Sequence, residues 1–172
     1  MNIFLIGIFI ITFPLVVAAE KFPVFESLKF NEVNLRHYPE KDDPYLKTIK
    51  FKLTKKNMPV KVLGEFNSGG KIIEWRHVEL FNGIEGWIYH TQLSEQRTLL
   101  LKKDKNLYLF NSFQKESFKT KIKAKILSPK IVKLEKLKNN MAKIQLNHDE
   151  KLISGWIIID ESVWGLFDEE IN

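Results

Sequence analysis

Gly83-Ile84-Glu85-Gly86-Trp87-Ile88 decides how this chain is read, because Ser154-Gly155-Trp156-Ile157 returns to the same tripeptide about 70 residues later. A Gly-Trp-Ile run between turn signals reads as a strand. Glycine is expected to let the backbone kink at a barrel corner. The tryptophan is expected to supply the largest single burial open to a small core. Ile88 then continues the strand inward. A period of this length suits one small barrel per repeat.

Working outward, apolar residues come in short alternating runs: Met58-Pro59-Val60-Lys61-Val62-Leu63, then Lys71 to Leu80 (KIIEWRHVEL), then Ile84 to Ile88. Such runs, rich in β-formers, indicate strands. Asn67-Ser68-Gly69-Gly70 is a turn, and Phe81-Asn82-Gly83 is a hairpin turn whose Asn-Gly pair favours positive φ. A second block repeats the plan. Leu107-Tyr108-Leu109-Phe110 stands for Val33-Asn34-Leu35-Arg36. Ser128 to Leu134 stands for Met58 to Leu63, and Met141 to Leu146 stands for Trp75 to Leu80. The expected class is all-β, with two tandem small SH3-like barrels in residues 20–97 and 98–172. The boundary, Ser94-Glu95-Gln96-Arg97, lacks the composition of a flexible linker, so the barrels are expected to pack on each other.

Residues 1–19 are read as a signal peptide. Ile3 to Val17 (IFLIGIFIITFPLVV) carries no charge, and Val17-Ala18-Ala19 suits cleavage before Glu20. The run falls short of the ~20 residues of a spanning helix. The expected location is therefore periplasmic, the alternative being an uncleaved inner-membrane anchor. The 172 residues include no cysteine. That excludes disulfides, a thiol nucleophile and cysteine-ligated zinc. Net charge is +6, and lysine supplies nearly all of the positive side, with Arg36, Arg76 and Arg97 the arginines. Lysine is a solvated point charge rather than the fork that reads phosphates and bases. Nucleic acid is thus a poor partner. Anionic wall polymer, anionic lipid or an acidic protein fits better.

These residues resemble the bacterial SH3 domain (SH3b) family, in its exported tandem form from Gram-negative bacteria. Val33 to Arg36 is similar to the opening strand, His37 to Lys47 to the long first loop, and Glu74 to Val78 to the third strand. Gly83 to Ile88 with Leu93 resembles the closing signature. The second repeat carries the likeness mainly through Gly155-Trp156-Ile157 and Val163-Trp164-Gly165. The resemblance implies a non-enzymatic binding module that contacts peptidoglycan or its stem peptide and needs no cofactor. It also places Trp75 in the ligand groove, with His37, Tyr38, Tyr45, Tyr89 and His90 around it. Tyr89 and Gln92 stand where polyproline-binding relatives carry other residues, so a polyproline ligand is not expected. Met141 takes the place of Trp75 in repeat two, which confines the groove to repeat one.

No Gly-x-Ser-x-Gly, His-Glu-x-x-His or phosphate-binding glycine loop occurs, so the chain is read as no enzyme. His37, His77, His90 and His148 are dispersed and no metal site is expected, although His77 and His90 could approach across neighbouring strands. Lys119, Lys121, Lys123 and Lys125 alternate along one expected strand, with like charges about 7 Å apart. They guard an edge strand against aggregation, or they form an anionic-partner surface. The second use supports an alternative function, an envelope protein–protein adaptor. Asp160-Glu161 and Asp168-Glu169-Glu170 either dock within the molecule or are simply solvated.

Overall fold

A computed structural model of the chain describes residues 22–39, 48–67, 69, 74–109 and 121–170. The fold is all-β, in two antiparallel seven-stranded sheets. The first is built from β1 (Val24–Leu28), β2 (Val33–Arg36), β3 (Ile49–Leu53), β4 (Pro59–Phe66), β5 (Trp75–Glu79), β6 (Glu85–Tyr89) and β7 (Leu93–Ser94). The second is built from β8 (Thr98–Leu101), β9 (Lys105–Leu109), β10 (Lys121–Ile126), β11 (Lys130–Lys138), β12 (Met141–His148), β13 (Lys151–Ile158) and β14 (Val163–Trp164). Their orders are β3-β2-β6-β5-β4-β1-β7 and β10-β9-β13-β12-β11-β8-β14. Each strand of the first therefore has a counterpart in the second. Residues 1–19, read as the signal, lie outside the described residues.

Each sheet curls over its own apolar core. Leu28, Val33, Leu35, Val60, Val62, Val78 and Ile88 fill the first, and Leu99, Leu101, Leu107, Val132, Ile144 and Ile157 fill the second. Cross-strand register fixes which residues correspond. Gly86 lies opposite Val78 and Gly155 opposite Ile144, so Trp75 and Met141 hold the same place. β2 and β9 need a correction. The glycine contacts equate Leu35 with Leu107, not with Leu109. An offset of two residues preserves the inside–outside alternation, so hydrophobic pattern alone cannot detect it.

The Gly-Trp-Ile signature also works differently from the expectation. In β6, Gly86 and Ile88 are buried while Trp87 is half-buried on the opposite side. Successive strand residues point to opposite faces, so tryptophan and isoleucine cannot both enter the core. Trp87 belongs to neither core cluster, whereas Trp156 is buried, at 8% exposure. The glycines are needed for close approach, not for a kink. A Cβ on Gly86 would lie 2.7 Å from Leu35 Cγ and 2.8 Å from the Arg36 carbonyl oxygen. On Gly155 it would lie 2.7 Å from the Tyr108 carbonyl oxygen and 2.9 Å from Leu107 Cγ. The leucine of the neighbouring strand occupies the space that a side chain would take.

The two barrels pack through β1 and the segment after β14. Phe25 meets Trp164 edge-on at 5.5 Å and Phe167 at 4.8 Å. Arg97, between the sheets, donates to both carboxylate oxygens of Glu170 at 2.7 and 2.9 Å, and to the Gly165 carbonyl at 2.9 Å. Glu170 also accepts from the Phe167 N–H at 2.9 Å. Burial pushes the Glu170 carboxyl up, but the Arg97 and Phe167 hydrogen bonds outweigh it and hold the group below its ordinary range. Thr98 Oγ1 donates to the Asn57 carbonyl at 2.7 Å across the same junction. Asp160 likewise docks within the molecule, on Lys105 at 2.5 Å, whereas Glu161 and Glu169 are exposed.

Candidate functional site

β5 and β6 present a ladder of side chains on the outside of barrel one. Trp75 lies opposite Tyr89, His77 opposite Trp87, and Glu79 opposite Glu85. Period-two alternation puts all six on the face away from Val78 and Ile88. The register of β4 shifts between Val62 and Gly64, which brings Phe66 opposite Trp75 and onto this face. Arg36 enters from β2, opposite Trp87.

The rings fall into two groups side by side on this face. Trp75 meets Tyr89 edge-on at 5.3 Å, and Tyr89 meets His90 at 5.1 Å. His77 stacks on Trp87 at 4.9 Å, and Phe66 meets Trp87 edge-on at 6.1 Å. The Arg36 guanidinium lies 5.9 Å from the Trp75 ring and donates to Thr48 Oγ1. His77 Nε2 is 3.2 Å from a Glu85 carboxylate oxygen. His90 is anchored by its backbone N–H on the Glu74 carbonyl at 2.9 Å, with Nδ1 3.2 Å from the same oxygen.

Of the residues expected at the groove, the structure joins Trp75, Tyr89 and His90. Tyr38 stands 51% exposed on the loop after β2, and His37 ties that loop down through its N–H to the Thr48 carbonyl at 2.7 Å. Tyr45 lies outside the described residues. Trp75 itself is only 3% exposed, so its ring is the floor of the cluster rather than a free stacking face. The exposed ring is Phe66, at 41%. Phe66, Trp87, His77 and Arg36 escaped the sequence reading. The Gly64-Glu65-Phe66 stretch beside a turn gives no sign of the register shift that aims Phe66 at Trp75. His77 and His90 do not converge: each is engaged separately. Among the described residues no group of three or more potential ligands gathers around a metal position.

The lysine row takes a different form from the one expected. β10 is the edge strand of its sheet, but its pairing with β9 shifts between Ile122 and Ala124. Lys121 sits opposite Leu109 and Lys125 opposite Asn106, which are places of opposite phase. Lys123 is the extra residue of the bulge. A bulge breaks the period of two, so the backbone of β10 does not carry Lys121 and Lys125 in one phase. Lys125 is exposed and pairs with Asp104 at 3.2 Å. Lys119 and the side chains of Lys121 and Lys123 lie outside the described set.

No protein-family model matches the chain, and no curated protein matches it. Solved structures that align with it include two from Trichomonas vaginalis. NlpC2 from Trichomonas vaginalis is 17% identical, with a TM-score of 0.32, over 84% of this chain and 49% of that one. NlpC1 from the same organism is 16% identical, with a TM-score of 0.31, over 89% of this chain and 50% of that one. The chain spans about half the length of these structures.

Proposed function

We propose that the chain is an exported, non-enzymatic SH3b-type module whose first barrel contacts peptidoglycan or its stem peptide in the cell envelope. One observation carries this reading: the two groups of rings on the outer face of barrel one are not reproduced on barrel two. Where barrel one has Trp75, Tyr89 and His77, barrel two has Met141, Ile158 and Lys143. A face needed only to cover a strand can be built from either set. Flat rings beside a guanidinium suit a sugar face or a short peptide backbone. Trp75 and Tyr89 form the floor, and Phe66 is the exposed rim. The histidines of the face are held by Glu85 and by the Glu74 carbonyl, an arrangement suited to contact rather than turnover.

Retention on purified sacculi tests this. Phe66→Ala and Trp75→Met, the second copying barrel two, should each weaken retention about tenfold or more, with circular dichroism confirming the fold. Wild-type retention in both variants sinks the aromatic-face reading. Turnover of wall fragments by the wild type sinks the non-enzymatic one.

A further inference from the structure

Barrel two ends in a surface that the aromatic face of barrel one does not explain. Leu127, in the turn from β10 to β11, is 66% exposed, and Leu152, at the start of β13, is 64% exposed. Asn147 connects them. It lies opposite Leu152 in the sheet, and with Leu127 it lines a hollow of 240 Å³. Lys125 and Lys130 stand on the same hollow, with His148 and Asp149. Asp104 accepts a hydrogen bond from the Ser128 N–H at 2.9 Å. That bond brings the turn from β8 to β9, with its exposed Lys102 and Lys103, to the same rim. Lys151 is exposed beside Leu152.

Five lysines thus meet three carboxylates, those of Asp104, Asp149 and Glu150. Two of the three are already held, Asp104 by Lys125 at 3.2 Å and Asp149 by His148 at 3.2 Å. Single exposed leucines are ordinary on a protein surface. Leu127 on the hollow and Leu152 on the strand beside it, among an excess of positive charge, make an amphipathic tip. Such a tip can set its leucines below the headgroups of a bilayer and keep its ammonium groups at the phosphates.

We propose that this end of barrel two docks on a membrane surface rich in anionic phospholipid. The leucines decide the occupant. A soluble polyanion would be satisfied by the lysines alone and leaves Leu127 and Leu152 without a role. A bilayer accepts both residue types at once and needs no shape-matched pocket.

Co-sedimentation with phosphatidylcholine vesicles, with and without phosphatidylglycerol, tests the proposal on the processed chain. Binding should require phosphatidylglycerol and weaken with salt. Leu127→Ser with Leu152→Ser should weaken it about tenfold or more, and Lys125→Gln with Lys130→Gln roughly fivefold per lysine. Both pairs are exposed, and circular dichroism should read as wild type. Three results overturn the proposal: no binding to phosphatidylglycerol vesicles, binding that ignores the leucine pair, or equal binding to vesicles lacking phosphatidylglycerol. Sacculus retention through Phe66 and Trp75 is independent of all three.

Discussion

Where barrel one sets Trp75 against Tyr89 and Arg36 against Trp87, barrel two sets Met141 against Ile158 and Tyr108 against Trp156. The sheets beneath share one strand order, and each buries a leucine of its second strand under a glycine. Architecture is thus held by inward positions that barely differ, and outward positions are free to diverge. One inward position has diverged too. Counting from the paired leucines, the place of Val33 in barrel one is taken by Lys105 in barrel two. Lys105 is buried and paired with Asp160. Burial raises the Asp160 pKa, but the Lys105 and Ser162 hydrogen bonds and the Lys105 charge outweigh it and hold the group at about 2.

The strongest way to break the comparison is at the feature both barrels share. Gly86→Ala and Gly155→Ala should each cost about 3 kcal/mol by chemical denaturation, because the new methyl group meets a packed leucine and a backbone oxygen. A cost confined to one barrel would show that the shared packing is not what both folds depend on. Next comes the ion pair of buried Lys105 with the half-exposed Asp160. Asp160→Ala strands a buried ammonium and should cost about 2 kcal/mol. Lys105→Val with Asp160→Ala copies barrel one at the inward place and should recover most of that loss. A double variant no more stable than the single one refutes the equivalence.

The smallest effect belongs to the junction between the barrels. Glu170 has a lowered pKa, so its contribution is complete above the ordinary value of 4.5 and is lost as pH falls through the lowered value. Asp160 follows the same sign from 3.8 down to about 2. Glu170→Gln should cost about 1 kcal/mol or less at neutral pH and flatten the acid side of the stability profile. An unchanged acid limb would remove Arg97–Glu170 from the account of how the barrels are fastened.

The strands, the two repeats and the Trp75–Met141 correspondence were legible because Gly-Trp-Ile and its upstream strand recur in order. Trp87 was read inward because residue type was weighed before strand alternation, which sends Trp87 and Ile88 to opposite faces. β1 was missed as the opening strand because Glu26 interrupts its apolar run. The fold tolerates Glu26 through Arg76, 3.6 Å away, and both are largely buried. The aromatic face was half legible. Trp75, Tyr89 and His90 are close in sequence to the signature, whereas Phe66 and Arg36 reach it by a register shift and by a pairing between distant strands. The bulge in β10 went unread for the same reason, since it leaves no mark in composition.

The clasp of Phe167 and Glu170 on Phe25 and Arg97 has a consequence for the order in which the molecule is made. All strands of barrel one exist once Ser94 has been synthesised, yet the ring of Phe25 on its first strand gains its cover only when Trp164 and Phe167 emerge. For the whole interval of β8 to β13, the nascent chain carries an uncovered aromatic spot. A chain stopped before Trp164 would keep that spot permanently, an adhesive mark by which unfinished copies differ from finished ones.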